Sequence, residues 1–180
     1  MGFQDTLYPR GGTQYYRNCY VEGTVDFIFG GALAVFERCE IRSKGDGYVT
    51  AASTPAGQAA GLVFIDSRLT ADTGVGSVFL GRPWRLDAQA AFLRCEMGAH
   101  IVPAGWNDWD QPEAQERSVF AEYLSRGPGG APDDRVDWSR QLDADQAARF
   151  EVERLLARPG ERDWFRPRTL IEATKADGRP

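Results

Sequence analysis

Five short stretches of the chain align without gaps: QYYRNCYV from position 14, AVFERCEI from 34, LVFIDSRL from 62, AAFLRCEM from 90 and SVFAEYLS from 118. Their starts are separated by 20, 28, 28 and 28 residues. An aromatic stands third in every copy, namely Tyr16, Phe36, Phe64, Phe92 and Phe120, and three places later come Cys19, Cys39, Ser67, Cys95 and Tyr123. Each stretch is apolar, aromatic or β-branched and bounded by Gly, Pro, Asp or Ser, so each predicts a strand rather than a helix. A strand recurring at this interval, with no amphipathic helix in the gaps, predicts a solenoid whose coils stack like residue on like residue. The fold expected is all-β, a right-handed parallel β-helix. An antiparallel sandwich also has many short strands, but its usual spacing of roughly 8 to 12 residues is too short for these gaps.

After Asp143 the pattern changes. Ala144, Gln146, Ala147, Ala148, Phe150, Val152, Leu155 and Leu156 fall at helical intervals among charged residues, and Pro159-Gly160 ends the run. This predicts one helix that caps the last coil and covers its unpaired strand edge. Two units follow: 1–142, the β-helix, and 143–180, the capping helix, pinned by Trp164 and Phe165, with a loose polar tail after Arg166.

Composition narrows the functional classes. With 180 residues, 42% of them hydrophobic, one substantial core needs neither disulfides nor metal. The net charge of -5 is spread along the chain, which argues against nucleic acid or an anionic membrane as partner. No apolar run approaches the roughly 20 residues of a membrane span. A neutral or weakly charged substrate fits better, and a monomer is expected. His100 is the single histidine, so a His-rich metal centre is excluded, and no Gly-x-Ser-x-Gly elbow supports a serine hydrolase. The run from Gly127 to Gly130 lacks the Lys and Ser/Thr of a phosphate loop and reads as a turn.

The chemistry concentrates in GTVDFIFG, residues 23 to 30. Asp26 there is a carboxylate among apolar and aromatic neighbours, costly to bury unless paired, and either a turn cap or a functional group. Register bears on the choice. Asp5 precedes Tyr16 by 11 places, Asp26 precedes Phe36 by 10 and Arg82 precedes Phe92 by 10. With strands about 4.8 Å apart, all three should project from one face, with Arg82 two coils beyond Asp26. An Arg beside a carboxylate fixes its direction and favours its ionised form, as a nucleophile requires. A second carboxyl close to that charge has its pKa raised and can serve as general acid, then base. Gln4 offers amide N–H donors to a developing oxyanion.

QDTLY at 4 to 8, GTVDFIFG at 23 to 30 and LGRPW at 80 to 84 resemble the signature motifs of pectin methylesterases. Gly105-Trp106, the stretch AEYLSRGPGG from 121 and Val136-Asp137-Trp138 are similar to that family's later part, so the resemblance runs from Gly2 to about Trp164. It implies removal of methyl groups from homogalacturonan (pectin), with Asp26 as nucleophile, Asp5 as general acid and base, Arg82 binding the nucleophile and Gln4 in the oxyanion hole. It further implies sugar contacts at Tyr8, Val25, Phe29 and Trp84, no metal or organic cofactor, and a secreted protein. That family has a further oxyanion-hole Gln and several more coils before its QD motif, whereas this chain begins three residues before Gln4. The expectation is a truncated form lacking N-terminal coils, weakly active or inactive alone.

Other readings remain. A β-helical glycosidase would use two carboxylates, a lyase would need an oxygen-rich Ca²⁺ cluster not evident here, and an inactive binding β-helix would need neither Asp5 nor Arg82. Cys19 and Cys39 occupy one ladder on adjacent coils, close enough for a disulfide or for a column of buried thiols; Cys95 reads as such a thiol. Trp106 and Trp109 could line a cleft or plug the space beneath it.

Overall fold

The structure is a computed structural model that describes residues 2–157 and 164–165. Along the chain run β1 (Thr13–Arg17), β2 (Tyr20–Gly30), β3 (Leu33–Glu37), β4 (Glu40–Ala52), β5 (Leu62–Ile65) and β6 (Arg68–Ala71). There follow β7 (Val78–Pro83), β8 (Gln89–Leu93), β9 (Glu96–Met97), β10 (Val119–Tyr123) and β11 (Arg140–Gln141). Every strand pairing among the described residues is parallel. One sheet stacks in the order β1-β3-β5-β8-β10-β11, so the five repeated segments do lie one above another.

β2 and β4 are long because each supplies two sides of its coil. Residues 20–23 pair with 40–43, which meet β6 and then β9; residues 25–30 pair with 48–52, and 47–52 meet β7. Each coil therefore presents three strand faces around one interior, a parallel β-helix.

The interior holds a column of rings. Tyr16 pairs with Phe36, Phe36 with Phe64 and Phe64 with Phe92, which makes the 20-, 28- and 28-residue spacings the true registers. The stacked rings have centroids 4.6, 4.7 and 4.4 Å apart. Such pairs add roughly 0.5–1.5 kcal/mol each beyond the burial of their area. Trp106, almost wholly buried, continues the column between Phe92 and Phe120.

The fifth repeat departs from the expected register. Phe120 pairs with Ala90, not Phe92, and Glu122 takes the place opposite Phe92. A shift of two residues keeps inward side chains inward, and it makes room for Trp106 beneath Phe120. Glu122 is thereby buried, and Arg135 answers its charge. The Arg135 Nε donates to Glu122 Oε1 at 2.7 Å and Nη2 to Oε2 at 3.2 Å, with further donation to the carbonyls of Pro103 and Gly129.

A second column marks the corner after each strand of the large sheet. Asn18, Arg38, Asp66, Arg94 and Leu124 all have φ between 49° and 54°. Left-handed backbone is uncommon for such residues. Here the strain is offset by N–H groups that continue the ladder, as from Arg38 to the Ile65 carbonyl and from Asp66 to that of Leu93. The small residue that follows turns inward, and at the fifth coil it is Ser125 rather than the aligned Tyr123.

The cysteines on this inner column are free, which corrects the disulfide considered for Cys19 and Cys39. Both thiols are engaged with main-chain carbonyls instead: Cys39 Sγ with Tyr16 and Glu37, Cys19 Sγ with Arg17. Burial pushes the Cys39 thiol up to about 11, so little of the thiolate that disulfide exchange requires is present at neutral pH.

The segment from Asp143 does not form one helix over the last coil. It forms α2 (Ala144–Ala148) and α3 (Val152–Leu156), after the short α1 (Pro112–Arg117) earlier in the chain. α2 starts at a capping box between Asp143 and Gln146. The break between the two helices lets Ala147, Phe150, Val152 and Leu156 press on Val35, Val63, Ala91 and Ala121, the outward row of the large sheet. The segment is a strap along the flank, reaching back to Tyr15, against which Phe165 packs edge-on. Trp164 Nε1 donates to the Leu156 carbonyl at 3.0 Å, which pins the strap's end as expected. The expected helix stop at Pro159-Gly160 and the tail after Arg166 lie outside the described residues.

Candidate active site

The site lies on the coil face formed by residues 25–30, 47–52 and β7. Gln4 pairs with Val25 and Leu7 with Ile28, which adds the QDTLY segment as the neighbouring coil. Between Val25 and Ile28, β2 has one residue more than β4 has between Tyr48 and Thr50. That β-bulge re-aims a side chain out of the pleat, and Asp26 sits in it with φ 51°. Asp5, with φ 56°, repeats the geometry on the preceding coil. GTVDFIFG thus places its carboxylate by a backbone irregularity.

Arg82 comes from a different row than equal counting implies. Ala51 pairs with both Phe29 and Arg82, so Arg82 stands level with Phe29, beyond the bulge. Its long side chain reaches back: Nε donates to Asp26 Oδ1 at 2.9 Å and Nη2 to Oδ2 at 2.6 Å. This bidentate fork is the strong form of the pair, and Asp26 is only 2% exposed. Two glycines allow the close approach. A Cβ on Gly81 would lie 2.0 Å from Thr50 Oγ1, and one on Gly30, whose φ is 137°, would lie 2.3 Å from the Pro9 carbonyl oxygen.

Gln4, Asp5, Asp26, Phe29, Ala51, Trp84 and Trp109 line one pocket of about 200 Å³. Tyr8 stacks on Phe29 at 4.5 Å, and Trp84 tilts against both rings. Of the four residues expected to carry chemistry, Gln4, Asp5 and Asp26 line the pocket and Arg82 joins them through its fork on Asp26, with an aromatic floor beside them. Of the expected sugar contacts, Phe29 and Trp84 line the pocket, Tyr8 adjoins it through its stack on Phe29, and Val25, which pairs with Gln4, does not line it. Trp106 and Trp109 divide the two roles left open for them, Trp106 as core plug and Trp109 as pocket wall. Sequence reasoning missed Tyr48, whose ring lies beneath the Arg82 guanidinium; a tyrosine within a strand gave no sign of it.

Asp5 is exposed as a residue, yet its carboxyl meets the pocket. Partial removal from water pushes its pKa up, the Asp26 charge adds to this, and Arg82 opposes it. The folded chain therefore holds the Asp5 proton more tightly than the unfolded chain. Stability contributed by that proton is fully present below the unfolded pKa and is lost as pH rises toward the raised folded value. The difference in urea midpoint between the parent and Asp5→Asn should shift against the parent as pH rises through this acidic window. A difference that stays constant would contradict this origin. Among the described residues, no cluster of three or more His, Cys, Asp or Glu could hold a metal, and no helix is long and apolar enough to cross a membrane.

The sequence profile of the Pectinesterase family matches residues 1–159. The chain belongs to the pectinesterase family. It is 38% identical to Pectinesterase 31 of Arabidopsis thaliana over 166 residues, covering 92% of the chain and 52% of that relative. The pectin methylesterase from carrot superimposes with a TM-score of 0.80 at 30% identity, over 86% of this chain and 53% of that one. A pectin methylesterase in complex with a hexasaccharide superimposes with a TM-score of 0.71 at 31% identity, over 87% and 54%. The chain thus spans about half the length of each of these three relatives.

Proposed function

We propose that this chain carries the catalytic residues of a pectin methylesterase, a carboxylic ester hydrolase that converts methyl-esterified homogalacturonan to methanol and free galacturonate. The observation that carries the reading is the bidentate pairing of Arg82 with Asp26, whose pocket is shared with Asp5 and Gln4. The fork leaves each carboxylate oxygen a further lone pair for attack on the C6 ester carbonyl. Gln4 donates to the tetrahedral oxyanion. Asp5, its pKa raised, is suited to protonate the departing methanol. The acyl group remains on Asp26 as an anhydride. Asp5, now ionised, takes a proton from water, whose oxygen attacks the acyl carbon and releases galacturonate and the Asp26 carboxylate. Tyr8, Phe29 and Trp84 offer apolar faces to the sugar rings, and a related pectin methylesterase forms a complex with a hexasaccharide. In this reading, the catalytic unit is the right-handed β-helix of 1–142, the remainder is its accessory segment, and the protein is secreted and monomeric.

The reaction is tested by its products. Methanol and new carboxyl groups should appear in equal amounts from methylated homogalacturonan. New reducing ends would instead indicate a glycosidase, and unsaturated ends a lyase.

A further inference from the structure

The Arg82 guanidinium is covered on both faces. Its central carbon lies 4.0 Å from the centroid of the Tyr48 ring and 3.6 Å from that of Trp109. Only its edge is left for hydrogen bonding, and that edge meets both oxygens of Asp26. A guanidinium at a carboxylate can swing or slide unless its plane is fixed; stacking between two rings fixes it and excludes water from its faces. The two rings differ in one respect. Trp109 lines the pocket, whereas Tyr48 does not. Tyr48 is itself held, pairing with Val25 and Phe79 through the main chain and stacking on the Phe79 ring at 5.2 Å.

We propose that Tyr48 is a positioning residue, acting on the ester only through Arg82 by holding the guanidinium plane in line with the Asp26 carboxylate. This rests on the roles given above to Asp26 and Arg82. The ring is what matters: no hydroxyl contact enters the argument. Tyr48→Phe keeps the stacked face, and Tyr48→Leu removes it while leaving an apolar contact for Phe79.

Tyr48→Leu should lower kcat about tenfold, the scale of a desolvated cation–π contact, with KM within about twofold, whereas Tyr48→Phe should stay within about threefold of the parent in both. Hydrogen exchange of the Arg82 Nε–H, identified in nitrogen-15 spectra by its loss in Arg82→Lys, should quicken about tenfold in Tyr48→Leu and remain near the parent rate in Tyr48→Phe. Where Leu lowers the Tm, Tyr48→Met is a second variant without a ring, with the same expectations. Unchanged Nε–H exchange in the ring-free variants would overturn the proposal, as would a loss confined to KM or a Phe variant as impaired as Leu. The exchange readout does not need turnover. Unchanged exchange therefore counts against the clamp whatever the parent's turnover, and new reducing or unsaturated ends in place of methanol count against the esterase reading.

Discussion

Methanol release from methylated homogalacturonan should fall by roughly 10⁴-fold or more when Asp26 is replaced by Asn, the scale on which loss of a covalent nucleophile registers. The amide has nearly the same shape but cannot form the acyl-enzyme, so the loss belongs in kcat, with KM little changed. Folding should persist, because an amide oxygen still accepts from Arg82 Nε or Nη2, although the pair loses its charge. The outward row shared by Phe29, Ala51 and Arg82 does not involve the substituted atom. Circular dichroism should match the parent. An Asp26→Asn variant working within tenfold of the parent would remove Asp26 from the nucleophile's place and leave it a structural partner of Arg82.

Replacing Arg135 by Ala should be the most destabilising single change in the later coils, costing about 3–5 kcal/mol, because it strands a buried carboxylate. Glu122 is 1% exposed, and Ser125 is the side chain left to satisfy it. Arg135 also caps the carbonyls of Pro103 and Gly129, and its side chain fills the space that a Cβ on Gly105 would enter. Gly105 leads into Trp106 and the loop that carries Trp109. The damage should therefore reach the active pocket as well as the solenoid's end. Urea unfolding measures the first effect and turnover at low temperature the second. Converting the pair together, Arg135→Met with Glu122→Leu, should recover much of the stability, since a buried pair is commonly replaceable by apolar groups of similar volume. A loss under about 1 kcal/mol in Arg135→Ala would show that water reaches Glu122.

How far the sequence exposes this arrangement depends on what each residue answers to. Tyr16, Phe36, Phe64 and Phe92 obey a strict parallel register, so equal spacing in the chain becomes stacking in space. Phe120 breaks the rule because Trp106, from a loop without strand periodicity, enters the column beneath it. The convergence of Asp5, Asp26 and Arg82 was legible, but the level of Arg82 was not. The bulge at Asp26 inserts a residue whose effect on direction is invisible to counting. Tyr48 was hidden for a related reason: its partner is a guanidinium 34 positions away, brought over it by the reach of a side chain rather than by strand pairing. The helical spacing after Asp143 was real, but it answers to the side of the large sheet. Phe150 faces Val63 and Ala91 only because α2 and α3 are separate.

That strap imposes an order on how the molecule is completed. Val35, Val63, Ala91 and Ala121 leave the ribosome well before Ala147, Phe150, Val152 and Leu156. A nascent chain therefore carries a finished interior beside an oily stripe still facing solvent, a state open to chaperones and to self-association. The residues that close it are translated only after every strand they cover.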